Sequence, residues 1–455
     1  MSKFDFNYVV IGSGPAGSSA ALALAKAKKT VALVEGRYFG GANLNTRDVP
    51  YAVALNFSHT FSKLSSSPEF QNQDFSFSFP TLITHQLKTV IESGGNNKSI
   101  YEKAGVICFP GYANFLDDHT IAIGDRKITA KNFILATGST LKTLEISGTE
   151  NVNYLTPETA IRTKRLPKAI AVVGAGSTGC EIAEYFAELG AKVVLLETSS
   201  RILPREDKEA SQALHEYFVN QLGIMVLPKC KVVALEQDDV SKRVIFRNAQ
   251  AEKMVRVDCI VLATGSQPVL DYGLENAGVK HNTNGIIVNK YFETSAKHIY
   301  AVGDCLGQES STERANYEGS ILANNLINKS KSVINYRGFS RITNTYPEIA
   351  TIGLNEDDLT RRDHKYKKSL VPLTETTMSK VDHLNYGFVK ILADKKNDRI
   401  LGATIVAPHA SLMANEISLA IRHNLTALEL ASAPHIANSY SHAIKLAAKK
   451  LISKK

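Results

Sequence analysis

The sequence predicts an α/β fold that uses one strand–turn–helix–strand unit twice and ends in an α+β region. Three observations predict it. The glycine-rich turn Gly12-Ser13-Gly14-Pro15-Ala16-Gly17 follows an apolar run and opens an alanine-rich segment. A second turn of the same kind, Gly174-Ala175-Gly176-Ser177-Thr178-Gly179, stands in the same setting. In both copies a glutamate, Glu35 or Glu197, follows the first glycine by 23 positions, which marks a repeat.

In chain order, Asn7-Tyr8-Val9-Val10-Ile11 reads as a strand buried on both faces. The helix after the turn runs to about Lys28, and the strand Thr30-Val31-Ala32-Leu33-Val34 ends at Glu35. This is a Rossmann-like dinucleotide cradle. Gly12 permits the tight turn, Gly14 admits a pyrophosphate, and Gly17 lets helix pack on strand. Pro15 and Ala16 lie within the turn, and the N-terminal N–H groups of the helix that follows face the negative charge. Glu35 is placed to accept from a ribose hydroxyl. In the second unit Ala169-Ile170-Ala171-Val172-Val173 leads into the turn of Gly174, Gly176, Ser177, Thr178 and Gly179, and a helix through about Glu188 follows. The strand Lys192-Val193-Val194-Leu195-Leu196 then ends at Glu197. Two such units predict two dinucleotides. Phe133-Ile134-Leu135-Ala136-Thr137-Gly138-Ser139 and Ile260-Val261-Leu262-Ala263-Thr264-Gly265-Ser266 form a matched pair of strand-plus-turn segments. His298-Ile299-Tyr300-Ala301-Val302-Gly303-Asp304 reads as a strand ending in Gly-Asp. From about Asn335 the character changes: residues 346–354, 387–391 and 400–406 read as strands, with a helix from about Ser411.

A chain of 455 residues exceeds one core, and 44% hydrophobic with 21% charged residues is an ordinary globular composition. No apolar run approaches the roughly 20 residues needed to span a bilayer. The chain enters a strand too early for a signal peptide, so a cytoplasmic protein is expected. Net charge is +9 and the chain ends Lys449-Lys450-Leu451-Ile452-Ser453-Lys454-Lys455. Such a tail can favour acidic surfaces, membranes included, although a solvated end is the ordinary reading. No aromatic–basic stripe points to nucleic acid. Cys108, Cys180, Cys230, Cys259 and Cys305 are scattered singly, so neither a disulfide framework nor a zinc site is expected.

The stretch Phe39-Gly40-Gly41-Ala42-Asn43-Leu44-Asn45-Thr46-Arg47-Asp48-Val49-Pro50-Tyr51-Ala52 carries a resemblance. It is similar to the redox-active loop of the flavoprotein disulfide reductases, the class I pyridine nucleotide-disulfide oxidoreductases, which include dihydrolipoamide dehydrogenase, glutathione reductase and mercuric reductase. They usually read Gly-Gly-Thr-Cys-Leu-Asn-Val-Gly-Cys-Ile-Pro-Ser-Lys here. This chain has Asn43 and Asp48 at the cysteine positions and Ala52 at the lysine position. The likeness covers essentially the whole chain. It implies an FAD-binding domain over residues 1–148 and 268–333, an NAD-binding domain over 149–267, and an α+β dimerisation domain over 334–455 that makes a homodimer. Gly41, Ala42 and Asn43 then lie along FAD, Thr137, Gly138 and Gly265 close the nucleotide domains, and Gly303 and Asp304 anchor the ribityl chain. Glu197 favours NADH over NADPH by accepting from the free 2′-hydroxyl, although Arg201 could soften that choice. Ser177 stands where many relatives place an aromatic lid over the nicotinamide pocket.

The family's acid–base pair lies in a His-Pro-Thr-Leu-Ser-Glu segment of the partner subunit. Here Ala437 and His442 hold the histidine and glutamate positions, Tyr440 lies between them, and His435 matches a preceding, non-catalytic position. Family members pair the lost lysine with a glutamate that is retained here as Glu181. An unpaired, desolvated Glu181 is expected to have a raised pKa unless a cation such as Arg47 turns towards it; Arg47 reads equally well as outward and solvated. Asp48 has two readings, a charge or proton donor beside the flavin and a helix-start cap. Cys180 reads as a small buried filler. The expected activity is transfer from NADH to flavin, then directly to a small non-disulfide acceptor such as a quinone, with Asp48, Glu181, Tyr440 and His442 as candidate catalytic groups. The alternatives are a redox sensor or scaffold that binds nucleotides without turnover, and a soluble transhydrogenase-like enzyme.

Overall fold

The computed structural model describes residues 3–70, 75–142, 145–249, 251–307 and 311–452. It divides into two compact units, Met1–Ala54 with Ser78–Thr143 and Gly265–Asn335, and Leu55–Phe77 with Leu144–Thr264 and Tyr336–Lys455.

The first unit is built on a seven-stranded sheet. Val106–Pro110, Val31–Glu35, Phe6–Ile11, Arg126–Leu135 and Ile299–Ala301 run parallel in that spatial order. Val9, Val10, Leu33, Ile134 and Leu135 are sealed from solvent, as the continuous apolar runs require. Thr120–Ile123 and Ala113–Phe115 extend the sheet as an antiparallel hairpin on Arg126–Leu135. The helix Pro15–Lys26 lies against Thr312–Asn328 so closely that a β-carbon on Gly319 would stand 2.1 Å from the Ala16 carbonyl oxygen.

The second unit holds a four-stranded parallel sheet in the order Met225–Leu227, Lys192–Leu196, Ala169–Val173, Cys259–Leu262. Lys231–Gln237, Lys242–Arg247 and Glu252–Val257 form an antiparallel meander. A five-stranded antiparallel sheet follows: Ser340–Thr343, Glu348–Gly353, Ile400–Ala407, Phe388–Asp394, Tyr366–Pro372. The helices Ala410–Arg422 and His442–Ile452 cover its core.

Several readings shift locally. The segment through Asp304 is a strand of only three residues, after which Gly303–Leu306 turns into a 3-10 helix. The strand Tyr366–Pro372 escaped notice because its polar residues Tyr366, Lys367 and Lys368 mask the apolar half. Lys449 and Lys450 belong to the last turn of a helix, where cations suit the dipole, and Lys450 donates to the Leu370 carbonyl at 3.0 Å. Residues 453–455 of the basic tail and 71–74 of the expected loop lie outside the described residues.

Within the second unit a fully buried lysine, Lys390, holds strand Phe388–Asp394 to its surroundings. Its ammonium lies 2.8 Å from Asp207, 2.9 Å from Glu209 and 2.8 Å from Glu356. Burial would lower Lys390, but the Asp207 charge and the bonds to all three acids more than reverse this. Burial would likewise raise Glu356, yet hydrogen bonds from Lys390, Lys368 and Tyr366 bring it down to about 2. Removing the lysine leaves Asp207 buried without a counter-charge. Lys390→Met is therefore expected to cost about 3–5 kcal/mol in urea unfolding. The Glu356 contribution is complete above its ordinary value near 4.5 and is lost as pH falls towards 2. Acid unfolding of the wild type should steepen in that window, and Glu356→Gln should flatten it.

Candidate functional site

The first cradle is set by what cannot fit. Gly12 has φ +99°, and a β-carbon there would stand 2.2 Å from the Ala136 carbonyl oxygen. A β-carbon on Gly17 would stand 1.9 Å from the Gly12 carbonyl oxygen. At Gly14, by contrast, a β-carbon would meet nothing within 4 Å, so the turn leaves open space in front of the helix. Pro15 begins a twelve-residue helix with no side-chain cap, and its first-turn N–H groups can serve an anion. Gly41 closes over the turn, with its β position 2.5 Å from the Gly14 α-carbon. Glu35 stands at the strand end. Its Oε2 accepts from the Ser13 N–H at 2.9 Å and hydroxyl at 2.6 Å, and its Oε1 from the Arg37 N–H at 2.8 Å.

Around this cradle Thr137 donates to the Val269 carbonyl at 3.1 Å, and Gly138 and Gly303 take positive φ. Asp304 accepts from Ser139 at 3.0 Å and pairs with Arg47 at 3.9 Å. The carboxylate beside Arg47 is thus Asp304 and not the expected Glu181. The short helix Gly41–Asn45 presents Asn43, and Asp48 begins the helix Asp48–Ser66. Asn43 Nδ2 donates to Asp48 Oδ2 at 2.5 Å and to Thr312 Oγ1 at 2.9 Å. Thr312 Oγ1 in turn donates to Asp48 Oδ2 at 2.6 Å. Asp48 is exposed and Asn43 half-buried. Sequence reasoning missed Thr312, since nothing in the chain between announces it.

The second cradle repeats the first. Gly174 has φ +100° with its β position 2.4 Å from the Ala263 carbonyl oxygen, and that of Gly179 lies 1.9 Å from the Gly174 carbonyl oxygen. Gly176 again faces open space, and the helix Ser177–Glu188, which includes Thr178, again has no side-chain cap. Gly265 ends the matching turn with φ +93°. Glu197 Oε2 accepts from the Ala175 N–H at 2.8 Å, and Oε1 from the Ser199 N–H at 2.7 Å. Burial would raise this carboxyl; the N–H groups of Ser199 and Ala175 outweigh it and hold Glu197 below its ordinary range. Arg201 gives Nη2 to the carbonyls of Pro204 and Glu206, both at 3.1 Å. Both sites fit a dinucleotide: an open glycine floor, N–H groups in front, and an ionisable acid at the strand end.

Glu181, expected to be left unpaired, accepts from the Asn344 backbone N–H at 2.7 Å and side-chain amide at 3.0 Å, with Ser177 Oγ at 3.4 Å. The same helix carries two acids that went unremarked in the sequence. Glu184 is wholly buried and accepts from the Tyr346 N–H at 2.9 Å; burial, then the charge of Glu188, pushes its carboxyl well up. Glu188 accepts from Ser58 at 2.6 Å and meets His59 Nδ1 at 2.8 Å. Burial would lower His59, but the Glu188 hydrogen bond and charge raise it. Their helical spacing was visible; that it faces inward was not.

Tyr440 is buried in the core of its own sheet and donates to Asp382, while His442 begins the last helix half-exposed. His435, with its side chain nearly sealed, lies 2.6 Å from Glu416 and 2.9 Å from the Ala433 carbonyl. Cys180 is sealed, its thiol pushed well up by burial, and none of the five cysteines is in a disulfide.

Residues 6–319 match the pyridine nucleotide-disulphide oxidoreductase family, and residues 339–448 match its dimerisation domain. The chain is 31% identical to a mercuric reductase of Staphylococcus aureus over 98% of this chain and 82% of that one. It is 29% identical to a dihydrolipoyl dehydrogenase of Mycobacterium leprae over 97% of each. Among solved structures it superposes on LpdA of Mycobacterium tuberculosis with TM-score 0.88 and 24% identity, covering 98% of this chain and 99% of that one. The HOCl-induced flavoprotein disulfide reductase RclA of Escherichia coli gives 0.87 and 22%, with the same coverage. Among the described residues no helix is long and apolar enough to cross a membrane. The chain belongs to the pyridine nucleotide-disulphide oxidoreductase family, and its two cradles are those of FAD and a nicotinamide nucleotide.

Proposed function

We propose that this oxidoreductase takes its electrons from NADH and delivers them to a small non-disulfide acceptor, a quinone being the best fit. The observation that carries the reading is the triangle of Asn43, Asp48 and Thr312 in the loop where relatives hold a dithiol. A carboxamide and a carboxylate cannot exchange with a disulfide. When bound, the nicotinamide and the flavin supply the hydride chemistry. The chain's own residues do the rest. Gly12, Gly14, Pro15, Ala16 and Gly17 seat the FAD pyrophosphate, with Glu35 on its ribose and Asp304 on its ribityl chain. Gly174, Gly176, Thr178 and Gly179 seat the second nucleotide, and Glu197 sets the preference for NADH. Ser177 leaves the nicotinamide pocket open, and Glu181, held by Asn344, borders it.

Asp48 accepts from two donors at one oxygen, which suits an anion better than a proton donor. It begins a helix, so the cap and the charge beside the flavin are served by one group. The acid–base role falls to His442 rather than Tyr440, whose hydroxyl is committed to Asp382. Self-association uses the C-terminal domain, where Leu412, Leu419, Leu428 and Ile436 are exposed apolar residues.

Mixed anaerobically with NADH, the purified protein should lose its oxidised flavin absorbance rapidly and recover it on adding a quinone. A reduced flavin that persists with every quinone would favour a sensor, and brisk turnover with oxidised lipoamide or glutathione would refute the reading. Asp48→Asn removes a negative charge and should raise the flavin midpoint potential by ~10–30 mV, modest because the group is exposed to screening. An unchanged potential would leave Asp48 as a cap alone. Glu197→Ala should slow flavin reduction by NADH and narrow the NADH-over-NADPH ratio by about tenfold or more, the worth of one charge-assisted hydrogen bond.

A further inference from the structure

We propose that His59 is a positioning residue for the reaction with NADH: as an imidazolium locked to Glu188 it holds Asn344, and through Asn344 it fixes the Glu181 carboxylate. The proposal rests on the placement of Glu181 at the nicotinamide pocket given above. His59 lies on the helix Asp48–Ser66, Glu181 and Glu188 lie on the helix Ser177–Glu188, and Asn344 follows strand Ser340–Thr343. The contacts form a line. The Ser58 hydroxyl donates to Glu188 Oε2 at 2.6 Å, and His59 Nδ1 lies 2.9 and 2.8 Å from the two Glu188 oxygens. Across the ring, Nε2 lies 3.3 Å from the Asn344 carbonyl oxygen. Asn344 in turn gives its backbone N–H and its side-chain amide to Glu181 Oε1, at 2.7 and 3.0 Å. Ser177, the first residue of the helix, reaches the same oxygen at 3.4 Å. One residue, Asn344, therefore links the imidazole to a carboxylate at the head of the second cradle.

The protonation of the ring decides whether that link holds. A carbonyl only accepts, so Nε2 must carry hydrogen, and the Glu188 carboxylate asks the same of Nδ1. The imidazolium alone meets both needs. Burial opposes the charged form, but the Glu188 hydrogen bond and charge, the Asn344 carbonyl and the Glu348 charge outweigh it and raise His59 above its ordinary value near 6.5. Glu184 Oε2 lies 4.0 Å from Nε2, yet burial and the Glu188 charge push this carboxyl well up and favour its neutral form. Burial also pushes up the nearby tyrosines Tyr217, Tyr346 and Tyr386, which stay neutral.

When the ring gives up a proton, the carboxylate keeps Nδ1–H, so the proton leaves Nε2 for the solvent that reaches the half-exposed ring. A lone pair then faces the Asn344 oxygen, and a hydrogen bond becomes a repulsion. The sign follows from the raised value. Glu181 is fixed while His59 is charged and is released as pH rises through the His59 titration in the fold.

Hydride transfer from NADH takes no proton from solvent, so a pH limb in that step reports on the protein. Stopped-flow bleaching of the FAD-loaded protein by NADH should slow by about tenfold as pH rises through the His59 titration, while the NADH dissociation constant moves by less than about twofold. His59→Gln, whose amide gives an N–H without titrating, should flatten that limb. His59→Leu should bleach at the slow alkaline rate at every pH. In NMR spectra of protein with isotope-labelled histidine and asparagine, the Asn344 amide should shift with the midpoint of the His59 ring. That shift needs no NADH, so it decides the proposal even where NADH fails to bleach the flavin, a failure that would refute NADH as the donor. An Asn344 amide that stays still through the His59 titration, or a limb that survives in His59→Gln with its flavin bound, overturns the proposal.

Discussion

A missing β-carbon decides the geometry of both nucleotide sites. At Gly17 and Gly179 the helix start rests on the carbonyl of the first motif glycine, with 1.9 Å left for any side chain. No other residue allows that approach. It drives the helix N-terminus into the turn and so aims its uncapped N–H groups at the space beyond Gly14 and Gly176. The same crowding recurs one step out, where Gly12 and Gly174 press on the carbonyls of Ala136 and Ala263. Strand, turn and helix are therefore pressed against the alanine that opens the matching Ala-Thr-Gly-Ser segment in each copy. The short strands after those segments, Ser139–Leu141 and Ser266–Pro268, pair with each other.

The strand-end glutamates show how one design serves two ligands. Both accept from the N–H of the second motif residue and from the N–H two residues further on. Each acid thereby braces its turn before any ribose arrives. Glu35 has four donors, since Ser13 Oγ and the Tyr38 N–H also reach it. Glu197 is held likewise, with Thr198 at 3.1 Å and the Ser199 side chain added to its two backbone donors. A carboxylate offers about four acceptor directions.

What the sequence made legible follows from range. The cradles were readable because each is local: glycine, helix and acid fall within 23 positions, and their physics is backbone physics. Arg201 and Glu181 were placed correctly in the chain but not in their company, because Glu206 and Asn344 reach them through folded loops. Lys390 could not be foreseen at all: a lysine inside an apolar strand reads as an edge or an error until three acids from two distant segments surround it.

The altered loop illustrates the same limit with a chemical consequence. Read alone, Asn43 and Asp48 are two lost sulfurs. The fold adds Thr312, whose hydroxyl accepts from Asn43 and donates to Asp48, and so converts two isolated substitutions into a closed set of hydrogen bonds. Such a set has a use that a random pair of replacements would lack. An exposed asparagine and aspartate would keep to water, whereas the threonine fixes both rotamers and gives the carboxylate a defined position at the helix start. The triangle ties the start of the helix Asp48–Ser66 to that of Thr312–Asn328 through one carboxylate oxygen.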